Sequence, residues 1–128
     1  MIPKVGCVVL TMGTRPDDLN RGINSLLAQK DVDIEVVVVG NGWLPVNIPD
    51  GVASVELKTN LGIPAGRNAG AEVVSGEYLF FLDDDVVLED IDTLANIYKK
   101  FIAKPKVALI QPQPKDPNGL PTPRRWIP

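Results

Sequence analysis

Short, largely apolar runs that alternate with amphipathic stretches restrict most strongly what this chain can fold into. Val5–Leu10, Ile34–Val39 and Tyr78–Leu82 are such runs. The first, continuous from Val5 to Leu10, is typical of a strand buried on both faces. Between the first two, Leu19, Ile23, Leu26 and Leu27 recur at helical spacing, and after the third Ile91, Leu94, Ala95, Tyr98, Phe101 and Ile102 form a second stripe. Strand and helix in alternation predict a parallel sheet joined by right-handed crossovers.

Local signals mark the joints. Thr14, Pro16 and Asp17 read as a helix start, with a capping hydroxyl, an early proline and an acid near the positive end of the dipole. Asn41–Gly51 is a loop, Val55 and Leu57 suggest a short third strand, and Pro64 opens a helix reaching about Ser75. Gly66 and Gly70, four apart on that helix, imply close packing or close ligand approach. Val107–Ile110 reads as a fifth strand. Six of the twelve prolines lie between Pro112 and Pro128, so residues 112–128 are expected to be an extended arm or linker and residues 1–111 the folded unit. The expected fold is a three-layer α/β sandwich around a mostly parallel, Rossmann-like sheet of order 3-2-1-4. Ligands of such sheets bind beyond the carboxyl ends of the strands, where the order reverses. That places the Thr11–Arg15 loop beside the residues that follow Leu82.

Composition removes several chemistries. At 128 residues the chain is the size of one domain, and its net charge of −3 favours neither nucleic acid nor an anionic surface. Cys7 is the single cysteine and lies in an apolar run, so it reads as a core thiol. With no histidine in the sequence, a metal would have to be held by oxygen. No signal-peptide pattern or membrane-length apolar stretch is present. The expected location is cytoplasmic, at most peripheral to the inner face of a membrane.

The sharpest chemical signal is Asp83-Asp84-Asp85, directly after a buried strand. On an extended backbone Asp83 and Asp85 point one way and Asp84 the other. Two carboxylates about 6–7 Å apart repel by roughly 2.5 kcal/mol at an effective dielectric near 20. A divalent cation removes that strain and recruits a diphosphate. The competing reading is that the acids cap the next helix, but Glu89 and Asp90 stand nearer its start at Ile91.

The segments Asn60-Leu61-Gly62-Ile63-Pro64-Ala65-Gly66-Arg67-Asn68-Ala69-Gly70 and Gly76-Glu77-Tyr78-Leu79-Phe80-Phe81-Leu82-Asp83-Asp84-Asp85 closely resemble glycosyltransferase family 2. So do the strand ending at Thr11 and the helix ending Ser25-Leu26-Leu27-Ala28-Gln29. The resemblance spans residues 5–111 and implies a GT-A fold and a metal-dependent, inverting sugar transfer from a nucleoside diphosphate sugar to a saccharide or lipid-linked acceptor. Cell-surface polysaccharide assembly is the setting it most often implies. It gives Asp83 the donor ribose, with Asp84 a weaker neighbour, and Asp85 an Mn²⁺ or Mg²⁺ ion on the diphosphate. It places Arg67 near the nucleotide and Thr11 at the base pocket. Arg15 reads as a surface residue, although it is able to meet a phosphate.

The pattern departs from the family in two places. Gly40-Asn41-Gly42-Trp43 stands where the family usually carries an acidic pair, leaving Asn41 to read a base edge and Trp43 either to stack on the base or to anchor the loop. The family's catalytic base is a carboxylate in its acceptor half. Here Asp116, in a Pro-Asn-Gly turn, reads as structural, and no catalytic residue is assigned. Arg124-Arg125-Trp126 belongs to the arm. The expectation is that an acceptor half lies outside these residues. Alternatives are a donor-binding module without catalysis and a nucleotidyltransferase, whose Gly-rich basic loop after the first strand is thinly represented here. A phospho-receiver fold would need an acidic pair where Thr11-Met12 stands. The sequence leaves room for a homo-oligomer and does not specify donor base, sugar or acceptor.

Overall fold

The computed structural model describes residues 2–121. Its elements follow the chain as β1 (Lys4–Thr11), α1 (Pro16–Leu27), β2 (Asp33–Asn41), β3 (Ala53–Leu57), α2 (Ile63–Val73), β4 (Tyr78–Asp83) and α3 (Thr93–Ala103). The four strands form one sheet of order β3-β2-β1-β4, every neighbouring pair parallel.

Period-2 alternation splits the apolar runs into two cores. Val5, Cys7 and Val9 of β1, Val36 and Val38 of β2, and Leu82 of β4 face one side, against Leu19, Ile23 and Leu26 of α1 and Leu94 of α3. Val8, Val37 and Val39 face the other side together with Val74, and Ala69 of α2 packs there. β1 and β2 are buried on both faces along most of their length, which is why Val5–Leu10 and Val36–Val39 are unbroken in apolar character. Burial pushes the Cys7 thiol up to about 12, so it stays protonated as a small core hydrophobe.

α2 lies on the sheet because two of its residues lack a side chain. A Cβ on Gly66 would sit 2.5 Å from Leu10, and one on Gly70 would sit 2.4 Å from Val8. Close packing is therefore what these glycines provide, at a helix-propensity cost of about 1 kcal/mol each. α3 meets the sheet through aromatic rings, with Tyr78 5.6 Å from Tyr98 and 5.0 Å from Phe101 between centroids.

The structure differs from the sequence reading at several joints. Thr14 caps nothing; Arg15 occupies the N-cap position without a side-chain cap, and its carbonyl receives the N–H of Leu19. α2 stops at Val73. α3 begins at Thr93, not Ile91, and neither Glu89 nor Asp90 caps it with a carboxylate. Val107–Ile110 forms no strand: Val107 closes a turn onto Lys104, and Leu109 is 80% exposed. A short apolar run specifies extension but not a partner, and no described strand pairs with it. β4, read as a buried strand, exposes Leu79 and Phe81, because α2 packs over β1, β2 and β3 instead. Residues 112–121 carry no helix or strand, and Arg124-Arg125-Trp126 lies outside the described residues. No helix among the described residues is long and apolar enough to cross a membrane.

At the amino-terminal end of the sheet, Glu35 accepts from the Ser75 backbone N–H at 3.1 Å and its hydroxyl at 2.9 Å, and pairs with Lys4 at 3.4 Å. The Ser75 backbone bond first, then its hydroxyl and Lys4, hold the Glu35 carboxyl below its ordinary range. A lowered carboxyl stabilises the fold above its unfolded value of about 4.3, and that contribution is lost as pH falls through the folded value. Glu35→Gln is therefore expected to be less stable than wild type at about pH 7 and equal to it at about pH 2. Urea midpoints at the two pH values check this, and a gap that persists in acid would assign the effect to packing instead.

Candidate functional site

The strand order reverses between β1 and β4, whose ends lie side by side with Leu10 opposite Asp83. After Asp83 the chain turns at once, the N–H of Val86 donating to the Asp83 carbonyl at 3.2 Å. Asp84 and Asp85 thus sit in a turn and not on the extended backbone the sequence suggested. The turn still sorts the three carboxylates by exposure: the side chains of Asp83 and Asp85 are 66% and 47% exposed and that of Asp84 is 11%.

Asp84 points inward and is held twice. The Thr11 hydroxyl donates to its Oδ2 at 2.9 Å, and Arg15 Nη2 meets its Oδ1 at 2.9 Å. Thr11 Oγ1 in turn accepts from the Gly13 N–H at 3.0 Å. The hydroxyl of Thr11 is thereby occupied as a clamp between the β1 end and the aspartate turn. Arg15, read from sequence as a surface residue, stands at the centre of the triplet: its other nitrogen, Nη1, meets Asp85 Oδ2 at 3.3 Å. On the far side, Arg67 reaches from α2 to Asp83 Oδ1 at 3.2 Å and lies 5.5 Å from the centre of the Phe81 ring. Three carboxylates face two guanidinium groups, leaving one formal negative charge, so a diphosphate needs a cation to approach.

The rim beside this cluster is interlocked. Asn41 is buried, its Nδ2 donating to the Gly62 carbonyl at 3.2 Å and its Oδ1 accepting from the Leu61 N–H at 2.9 Å. Both ends of its amide thus hold the loop that launches α2, and with it Arg67. Asn60 closes that loop on itself through the Gly62 N–H at 2.9 Å and touches Met12 Sδ at 3.4 Å. Trp43 anchors the β2–β3 loop by lying on the backbone of Gly13, where a Cβ would be 2.3 Å from its ring. A Cβ at Gly40 would sit 2.0 Å from the Trp43 carbonyl oxygen, so the folded-back loop excludes the acid expected there.

The residue set fits an oxygen-bound cation only in part. Among the described residues no three His, Cys, Asp or Glu side chains gather to hold a metal. Asp85 is an outward carboxylate on a single exposed ion pair, which suits an ion that takes one protein carboxylate and completes its shell with phosphate oxygens and water. Asp116, the carboxylate after Ile110, is used in a turn, accepting from the Asn118 N–H at 2.7 Å.

The sequence profile described as Glycosyl transferase family 2 matches residues 7–127. The chain belongs to glycosyl transferase family 2. It is similar to an uncharacterized glycosyltransferase of Nostoc sp., 37% identical over 79 residues that make up 54% of this chain and 24% of the relative. It is also similar to the mannosyltransferase PcManGT from Pyrobaculum calidifontis in complex with GDP-Man and Mn²⁺, with a TM-score of 0.71 and 25% identity over 84% of this chain and 34% of that one. S. aureus TarS 1-349 in complex with UDP shares the fold, with a TM-score of 0.65 and 23% identity over 78% of this chain and 32% of that one. The chain thus spans between a quarter and a third of these proteins, and its all-parallel sheet is the one seen in the GT-A structures.

Sequence reasoning missed two groups. Arg15 was detectable as the residue before Pro16 at the carboxyl edge of β1, next to the reversal point. Ser25 and Gln29, seen only as part of a family signature, clasp the segment after the triplet: Ser25 Oγ accepts from the Leu88 N–H at 3.1 Å, and Gln29 bonds to Asp90 and Leu94. Their signal is a polar side chain at the place where the apolar face of α1 continues.

Proposed function

We propose that this protein takes part in sugar transfer from a nucleoside diphosphate sugar to an acceptor hydroxyl, with the carboxyl end of its sheet as the donor site. The observation that carries the reading is the sorted triplet at the β1/β4 reversal in a family 2 chain: one carboxylate locked inward, two turned out. Asp83 is suited to accept from ribose hydroxyls, and Arg67 beside it to meet the nucleotide by stacking or by a phosphate fork. Asp85 would hold Mn²⁺ or Mg²⁺, as suits a hard cation, and such an ion stabilises charge on a departing diphosphate. The Mn²⁺ and GDP-Man of PcManGT support the metal and the donor class. Inverting transfer needs a base to take the acceptor proton. No described residue is given that role, so the acceptor, a saccharide or lipid carrier, would be activated by groups beyond this site. A cytoplasmic place in surface polysaccharide assembly belongs to the same proposal.

Calorimetric titration with UDP, dTDP and GDP, each with and without Mn²⁺, tests it on wild type and Asp85→Asn. The expected result is cation-dependent binding of one nucleotide, weakened about tenfold or more by the substitution, the equivalent of one lost charge-assisted contact. Folded protein that binds none of the three with Mn²⁺ present would falsify the donor reading. Separate assay of sugar transfer distinguishes a transferase from a donor-binding module.

A further inference from the structure

The two arms of Arg15 are unequal. Nη2 meets Asp84 at 2.9 Å, against a carboxylate that is nearly buried and also fixed by Thr11. Nη1 meets Asp85 at 3.3 Å, against a carboxylate half open to water, and the arginine side chain is itself 50% exposed. The first contact is a charge-assisted bond with its acceptor locked in place. The second is an exposed pair of the kind that contributes little. Asp84 therefore works as a pivot and Asp85 as a partner readily given up.

We infer that Arg15 exchanges partners when a nucleoside diphosphate binds: Nη2 stays on Asp84, while Nη1 leaves Asp85 for a diphosphate oxygen and frees Asp85 for the divalent cation. The inference rests on the donor reading above. A planar guanidinium fork matches a phosphate as well as a carboxylate, so the exchange keeps its geometry. It also makes cation binding conditional. Without the diphosphate, Arg15 occupies Asp85 and its charge repels the ion. With the diphosphate present, the same charge is neutralised and the ion and nucleotide favour each other's binding. Arg15 is thus a donor-binding residue that couples the two ligands.

Electron paramagnetic resonance of free Mn²⁺ measures ion binding with no nucleotide, and calorimetry measures UDP, dTDP and GDP binding with Mn²⁺ present. For Arg15→Gln the two effects are expected to have opposite signs. Mn²⁺ alone should bind about threefold tighter, because an exposed competitor is gone. The Mn²⁺-dependent nucleotide should bind about tenfold weaker, because a phosphate donor is gone. Arg15→Lys, which keeps the charge without the fork, should leave Mn²⁺ binding near wild type and recover part of the nucleotide affinity. Circular dichroism confirms folding of each variant. Both affinities falling together would make Arg15 a simple prop of the turn and overturn the exchange, as would nucleotide affinity that does not change. Wild-type protein that binds none of UDP, dTDP and GDP with Mn²⁺ sinks the donor reading, and the exchange with it.

Discussion

Asp84→Asn is expected to lower stability by about 2–4 kcal/mol and to loosen the donor site with it. The carboxylate accepts from a buried hydroxyl on Oδ2 and a guanidinium on Oδ1. An amide presents only one acceptor atom to these two donors. If it keeps Arg15, the Thr11 hydroxyl loses its acceptor inside the protein. Hydrogen bonds to charged groups contribute about 1.5–3 kcal/mol, and a stranded buried donor costs about 1–3 kcal/mol. The ion-pair share is smaller, at most about 1 kcal/mol, because Arg15 is half exposed. A double-mutant cycle with Thr11→Val isolates the contact. Coupling of about 1–3 kcal/mol in urea unfolding is expected, since the two side chains touch. Additive losses would show that Asp84 acts through Arg15 alone. Nucleotide affinity in the presence of Mn²⁺ should fall in the same variant, because Asp85 then hangs on a turn with one anchor fewer.

The legibility of the fold follows from how the sheet is buried. β1 and β2 are covered on both faces along most of their length, and such stretches have to be written as unbroken apolar runs, so Val5–Leu10 and Val36–Val39 announce themselves. Their alternation with helices sets direction and order. β4 carries the same kind of run, yet Leu79 and Phe81 are exposed. The difference lies in which neighbours cover the strand, and pairing is not encoded in a five-residue window. Val107–Ile110 fails as a strand for the same reason.

The site divides along the same line. A triplet of aspartates at a strand end is visible as chemistry, but which carboxylate turns inward depends on Thr11, about seventy residues earlier in the chain. Alternation gave the right sorting for Asp83, Asp84 and Asp85, although the backbone that achieves it is a turn. Arg15 and Asn41 show the limit most clearly. Each has a side chain capable of several jobs, and the choice is made by long-range partners: Asp84 and Asp85 for one, the Leu61–Gly62 backbone for the other. Gly40 is the converse case, where the missing acid has a steric cause that becomes evident only once Trp43 is seen folded over it.

Gln29→Ala is expected to cost about 2–4 kcal/mol, a large part of the roughly 5–15 kcal/mol that holds a domain folded. The side chain is buried and spans two elements. Its Nε2 donates to the Asp90 carbonyl at 2.7 Å and to the Ser25 carbonyl at 3.2 Å, and its Oε1 accepts from the Leu94 N–H at 3.1 Å. Alanine removes these bonds and strands the Leu94 N–H at the start of α3, which no side chain of the helix's own N-cap residue satisfies. Gln29 lies beyond the C-cap of α1, so alanine gains no helix propensity there to compensate. Gln29→Glu discriminates between the two ends of the amide. It keeps an acceptor for Leu94 and places a negative charge at a helix N-terminus, which is favourable, but sets a carboxylate against the Asp90 carbonyl where a donor is needed. If the Asp90 bond dominates, Glu is as damaging as Ala; if the Leu94 cap dominates, Glu recovers most of the loss. Hydrogen exchange supplies the local reading: the amides of Leu88 and Leu94 should lose protection before the sheet amides of Val36 and Val38 do. Uniform loss would mean that Gln29 contributes to global stability without specifically clasping the segment behind Asp85. Local loss with the sheet intact would mean that the clasp holds the aspartate turn from its carboxyl side, as Thr11 and Arg15 hold it from the other.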